Sequence, residues 1–245
     1  YSRGVSTASD GSVYITGFTF GDFNGETNAG SFDVFVTKYS SDGTKVWTKL
    51  LGNTDNDYGQ GVSTASDGSV FITGYTRGDL DGETNAGSTD VFVTKYSSDG
   101  TKVWTKLLGS TSPDYSRGVS TASDGSVYIT GFTYGDLDGE TNAGIYDTFL
   151  TKYSSDGTKL WTKLTGTTDN EYGNGVATSS DGSVYITGYT YGDLDGEINP
   201  EMDGHEHSSV FVQKYTTDGT KVWTKLLGSI DSDYGYGVAT SSDGS

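Results

Sequence analysis

GVSTASDGSVFITGYT at residues 61–76 and, after a polar loop, DVFVTKYSSDGTKVWTKLL at residues 90–108 decide the fold. They read as four short segments rich in Val, Ile, Phe, Tyr and Thr, over residues 61–65, 70–76, 90–96 and 102–108. β-Branched and aromatic residues in runs of this length are strand formers. No helical period of 3.6 residues persists beyond a few positions. Asp67-Gly68 and Asp99-Gly100 supply the positive φ that tight hairpins need. The four strands are therefore expected to form an antiparallel meander.

The same unit recurs almost letter for letter, starting at Tyr1, Tyr58, Tyr115 and Tyr172, with a partial copy from Tyr234 to Ser245. Four short strands per repeat of roughly 40 to 60 residues describe a propeller blade. The expected fold is an all-β propeller with blades at 1–57, 58–114, 115–171 and 172–233, the last with a loop insertion. Residues 234–245 begin a fifth. The set is read as part of a larger ring or array. The first strand carries small side chains suited to crowding near a central axis. The fourth, with Lys102, Trp104 and Lys106 on one side, suits the rim. The equivalent Trp47, Trp104, Trp161 and Trp223 are expected to pack between adjacent blades, because an indole buries a large apolar area.

The motifs DGSVYITG (10–17), DVFVTKY (33–39) and DGTKVWTK (42–49) resemble the bacterial seven-bladed β-propeller (SBBP) repeat family, and the resemblance covers essentially the whole chain. It implies an exported or cell-surface bacterial protein, one module of a longer polypeptide. It implies no particular activity.

Composition narrows the function. Acidic residues number 33 against 15 basic, for a formal charge of −18. This argues against nucleic acid, whose phosphates require Lys and Arg, and against anionic membranes. It suits solubility or hard cations. With no Cys there is neither a disulfide framework nor a thiol nucleophile. No apolar run reaches the length of a membrane span. The chain starts at Tyr1 and stops within a repeat, so it reads as a piece of something longer.

Between the second and third strands every unit carries an acidic loop. It holds Asp22, Asn24, Glu26, Asn28 and Asp33 in the first copy, and Asp79, Asp81, Glu83, Asn85 and Asp90 in the second. The third has Asp136, Asp138, Glu140, Asn142 and Asp147. These are positions 1, 3, 5, 7 and 12 of a twelve-residue stretch, the offsets at which an EF-hand loop presents oxygen ligands. Gly falls at positions 4 and 9 rather than 6, position 12 is Asp rather than Glu, and no helices flank the loop. The expectation is a Ca²⁺ loop of independent design, set against a plain solvated turn. Four such ions would move the formal charge from −18 to −18 + 8 = −10. The fourth copy keeps Asp193, Asp195, Glu197 and Asn199, then inserts a segment with Asp203, His205, Glu206 and His207, and places Ser209 where the last Asp would stand. Asp203 or Glu206 could replace that ligand. The two His lack an evident third partner for Zn²⁺.

The leading functional expectation is a non-enzymatic structural or adhesive surface module, with self-association or ring closure through another chain. The alternative is a multivalent lectin-like binder of a surface glycan, with Phe18, Tyr75, Phe132 and Tyr189 as stacking platforms. No enzyme is expected. A catalytic carboxylate pair needs two different environments to separate its pKa values, and near-identical loops do not supply them.

Overall fold

The computed structural model describes residues 1–200 and 207–241 and contains sixteen strands. They are β1 (Ser2–Thr7), β2 (Val13–Thr19), β3 (Asp33–Tyr39), β4 (Lys45–Leu51), β5 (Asp57–Thr64), β6 (Val70–Thr76), β7 (Asp90–Tyr96) and β8 (Lys102–Leu108). The second half repeats them as β9 (Asp114–Thr121), β10 (Val127–Thr133), β11 (Asp147–Tyr153), β12 (Lys159–Thr165), β13 (Glu171–Thr178), β14 (Val184–Thr190), β15 (Ser209–Tyr215) and β16 (Lys221–Leu227). They form four separate four-stranded sheets, each an antiparallel meander in sequence order. This is the expected set of propeller blades. In the second, third and fourth blades the first strand begins one residue before the Tyr that opens the repeat, at Asp57, Asp114 and Glu171.

Both short turns of a blade use one device. Gly11 donates its N–H to Ala8 O at 3.0 Å, Ala8 donates to Ser12 O at 2.8 Å, and Gly11 takes φ of 80°. That is a type I turn closed by a left-handed glycine, whose twist suits the flanking strands. The Asp10 carboxylate also accepts the Ser12 N–H at 2.8 Å.

The core lies between blades rather than within one. Val34, Val36 and Leu51 of the first blade pack with Val62, Ile72, Leu80 and Phe92 of the second, and the pattern repeats at the next two junctions. Trp47 donates its indole N–H to Ser98 O of the next blade at 3.2 Å and lies flat against Gly100, where a Cβ would come within 2.9 Å of the ring. Trp104 and Trp161 repeat the seat against Gly157 and Gly219. Each indole thus bridges to the following blade, as expected. Trp223, with no full blade after it, is 37% exposed.

The first strands of successive blades line up side by side. Ser6 bonds Thr64, Ser63 bonds Thr121 and Ser120 bonds Thr178, hydroxyl to hydroxyl at 3.2, 2.9 and 3.0 Å. Small hydroxyl residues make this close approach feasible. Residues 234–241 continue the series: Thr240 donates to Thr178 O at 2.9 Å, and Asn174 donates to Gly235 O at 2.7 Å.

Candidate functional site

An antiparallel meander places the two short turns of every blade on one face. The long β2–β3 type loop and the link to the next blade lie on the other, the loop face. Within the long loop, Asn24-Gly25, Asp81-Gly82, Asp138-Gly139 and Asp195-Gly196 all have positive φ, 53–56° at the first residue and 83–91° at the glycine. Leu80 and Glu83 exchange two backbone hydrogen bonds of 3.0 Å across this pair. The third position of the loop is therefore the corner of a two-residue type I′ turn, which calls for Asn or Asp followed by Gly. The turn is fastened by a buried neighbour, Leu80, Leu137 or Leu194, each at most 1% exposed.

This turn divides the residues that the sequence groups as one ligand set. Asp79 accepts the Asn85 N–H at 2.9 Å, as do Asp22, Asp136 and Asp193 from Asn28, Asn142 and Asn199. Asn85 in turn accepts the Gly87 N–H at 2.9 Å, and Asn28 and Asn142 make the same bond. The carboxylates at positions 3 and 5 turn outward to the fourth strand. Asp81 pairs with Lys102, Asp138 with Lys159, and Asp195 with Lys221 at 2.5 Å. Glu83 pairs with Lys106 at 2.7 Å, Glu140 with Lys163 at 2.9 Å, Glu197 with Lys225 at 2.6 Å, and Glu26 with Lys49 at 3.3 Å. In the first blade the uncharged Asn24 accepts from Lys45 at 3.1 Å. Among the described residues, no three His, Asp or Glu side chains converge as metal ligands.

Position 12 behaves differently. Asp33, Asp90 and Asp147 are 1% exposed, and each accepts one backbone N–H, from Ala29, Ala86 and Ala143 at 2.7 to 2.9 Å. The other oxygen, Oδ1, is buried with no hydrogen-bond partner in all three. Burial raises their pKa. Beside them stand carboxylates that the loop pattern missed. Asp57, Asp114 and Glu171 open the next blade and are fully buried. Asp57 accepts the Asn53 N–H at 2.8 Å, Asp114 that of Ser110 at 2.7 Å and Glu171 that of Thr167 at 2.7 Å. Burial, reinforced by the charge of the neighbouring Asp33 or Asp90, pushes Asp57 and Asp114 up to about 6; Glu171 is also raised. An acidic residue recurs at this place in every copy, Asp57, Asp114, Glu171 and Asp233, so the repeat carried the signal.

At the fourth junction the pair changes character. Ser209 replaces the buried Asp and donates to Asn199 Oδ1 at 2.6 Å, so the Asp that faces the next blade at the other junctions is missing at this position. Asn199, expected as a ligand, is 3% exposed and donates to His207 O at 2.8 Å. Asp203, His205 and Glu206 lie outside the described residues.

The aromatics do not match the expected platforms. Phe18 and Phe132 are only 7% and 5% exposed, too buried to offer a face, while Tyr75 and Tyr189 are half-buried. All four belong to one continuous belt. Tyr1, Phe18, Tyr58, Tyr75, Tyr115, Phe132, Tyr172, Tyr189 and Tyr234 follow one another with ring centroids 4.7 to 5.2 Å apart. Such spacing suits offset and edge-to-face contacts.

Comparison with known proteins agrees with this architecture. The chain is 31% identical over 205 residues to the regulatory protein FlaEY of Caulobacter vibrioides, an alignment covering 74% of the chain and 21% of that protein. It is 24% identical over 245 residues to an uncharacterized WD repeat-containing protein of Acanthamoeba polyphaga mimivirus, covering 80% of the chain and 18% of the relative. The chain thus spans about a fifth of the length of these curated relatives. A crystal structure of a protein of unknown function from Bacteroides caccae superposes with a TM-score of 0.51 at 10% identity, over 94% of this chain and 62% of that one, a likeness of fold. The beta-propeller repeat SBBP matches at residues 46–81 and 160–195, equivalent stretches that run from the fourth strand of one blade into the long loop of the next. With four antiparallel blades in place, the chain is a β-propeller segment carrying the SBBP repeat.

Proposed function

We propose that this chain is a non-enzymatic scaffold, a blade array of an exported bacterial surface protein that holds its loop face rigid for display. The observation that carries this reading is the pairing of positions 3 and 5 of each long loop with two lysines of the same blade's fourth strand. Exposed pairs of this kind contribute little stability, roughly 0 to 1 kcal/mol. Their effect is to neutralise clustered carboxylates without a bound ion. Each carboxylate at positions 3 and 5 that is so engaged is held by a lysine rather than free to act as acid or base. A hydrolase assay on the purified chain tests this: turnover abolished by changing one loop carboxylate would sink the scaffold reading.

A specific observation favours a second reading, Ca²⁺ at the loops. The buried, unpartnered Oδ1 atoms of Asp33, Asp90 and Asp147 are oxygens that a cation would satisfy. Thermal melts in millimolar Ca²⁺ and in EDTA separate the two readings, since an ion bound to the native state raises the midpoint.

The partner we propose is a further blade. Leu51 and Leu108 are 3% and 4% exposed at filled junctions, whereas the equivalent Leu227 is 74% exposed. On the opposite end Val5 is 69% exposed, where Val62 and Val176 are 8%. These two end faces carry the residues that join blades internally, so more of the same polypeptide or a second copy fits them. A solution mass of the chain distinguishes those occupants; a monomer that remains stable and soluble over a wide concentration range would argue against both.

A further inference from the structure

The two short turns on the turn face do not vary between copies. The Ser-Asp-Gly-Ser turns at 9–12, 66–69, 123–126 and 180–183 are identical, and the Asp-Gly-Thr-Lys turns at 42–45, 99–102, 156–159 and 218–221 are identical too. On the loop face the third residue of the unit is instead Arg3, Gln60, Arg117, Asn174 and Tyr236 in turn, and the twentieth is Phe20, Arg77, Tyr134 and Tyr191. Exposure alone does not explain the pattern, because the aspartates of the invariant turns, such as Asp10, Asp42, Asp67 and Asp99, are exposed too.

Four of these varied residues meet in one place. Arg3, Gln60 and Arg117 occupy the same register on the adjacent strands β1, β5 and β9, and line a cavity of about 250 Å³ with Tyr75, Tyr115 and Tyr134. Arg3 lies 5.6 Å from the centre of the Phe18 ring and Arg117 5.4 Å from that of Phe132, geometry that holds a guanidinium by cation–π contact. Both arginines line this cavity together with Tyr75, so they face the same space. Each ion pair among the described residues uses a lysine, so no carboxylate neutralises either arginine. In a chain with 33 acidic residues, two arginines left open beside aromatic rings are an exception.

We infer that this cavity binds an acidic sugar, a uronate residue of a polysaccharide, through its carboxylate and one apolar ring face. A planar guanidinium fork matches a carboxylate bidentately, and the tyrosine rings supply flat apolar surface for the pyranose. The volume lies just below the roughly 300 to 1,000 Å³ of pockets for drug-sized ligands, which suits a single ring. This goes beyond the scaffold reading and rests on a separate pocket, so that reading survives its failure.

Calorimetric titration of the full chain with oligomers of galacturonate, glucuronate and mannuronate tests the inference, with their methyl esters and sodium sulfate as controls at matched ionic strength. Expected are binding of at least one acid, a loss of at least tenfold with its ester, and a loss of at least tenfold in Arg117→Gln at an unchanged thermal midpoint. Tyr134→Ala, on a residue 38% exposed, should weaken the sugar without affecting the fold. Arg3→Gln serves as the second variant if Arg117→Gln melts early. Absence of binding by all three acids, equal binding of acid and ester, sulfate binding as tightly as the sugar, or binding indifferent to both arginine variants would each overturn the inference.

Discussion

The turn face and the loop face of a blade are written in the same residues, Asp, Gly, Ser and Thr, yet they treat charge in opposite ways. On the turn face Asp42 and Asp99 accept a serine hydroxyl and the N–H of the threonine two residues on. They stay in water, and these bonds hold their carboxyls below the usual range, Asp42 at about 2. On the loop face Asp57 and Asp114 accept comparable N–H bonds but are fully buried, and burial wins, raising them to about 6. One residue type thus stabilises the ionised native state in one place and burdens it in another. Depth in the blade decides which.

The largest way to break this contrast is to remove the apolar anchor of a loop. Leu137→Ala, at a residue with no exposure, should cost about 2 to 5 kcal/mol in a denaturant melt. A loss below about 1 kcal/mol would mean that the loop is not fastened to the core.

The pH profile comes next. A group whose folded pKa is raised contributes fully below its unfolded value near 3.8, and that contribution is lost as pH rises through about 6. Asp57 and Asp114 should therefore each cost on the order of 2 to 3 kcal/mol at pH 8 relative to pH 4. The turn-face carboxylates act the other way, losing their contribution as pH falls below 3.8 through their lowered values. The thermal midpoint should rise from pH 8 to about pH 5 and fall again in stronger acid. Asp57→Asn combined with Asp114→Asn should flatten the upper limb, and a double variant with the wild-type slope would exclude these residues as its source.

On the turn face, Gly125→Ala places a Cβ at φ of 80° near Ser155 and should cost about 1 kcal/mol. The smallest expected effect is that of Lys106→Met, at most about 1 kcal/mol by melting, since its partner Glu83 is solvated. Its informative readout is ion binding: if the lysine replaces a metal, Lys102→Met with Lys106→Met should give the second blade a Ca²⁺ response that the parent lacks.

Most of the blade was legible in the sequence. Strand alternation, Asp-Gly turns, small residues on the first strand and one Trp per copy each have a local cause, and the repeat states each of them four times. The loop was legible only as composition. Asp81-Gly82 is as good a type I′ corner as it is a ligand and a glycine, and spacing along the chain does not show that Lys102 and Lys106 stand opposite. The junction pairs, such as Asp33 with Asp57, unite residues from two blades, and their raised pKa comes from burial that only the packed structure creates. The Arg3–Gln60–Arg117 register was hidden for a related reason. Residues 57 apart in sequence become neighbours only when the first strands of successive blades lie side by side.

The carboxylates at positions 3 and 5 of the loops are neutralised by lysines of the same blade's fourth strand rather than by a bound ion. A thermal melt of the wild-type chain in 5 mM EDTA and again across roughly 0.1 to 10 mM Ca²⁺, at constant ionic strength, tests this most directly, because a site half-filled in this range would shift the midpoint. One midpoint is expected throughout. A midpoint that falls in EDTA and climbs with Ca²⁺ would contradict this and return the loops to the cation.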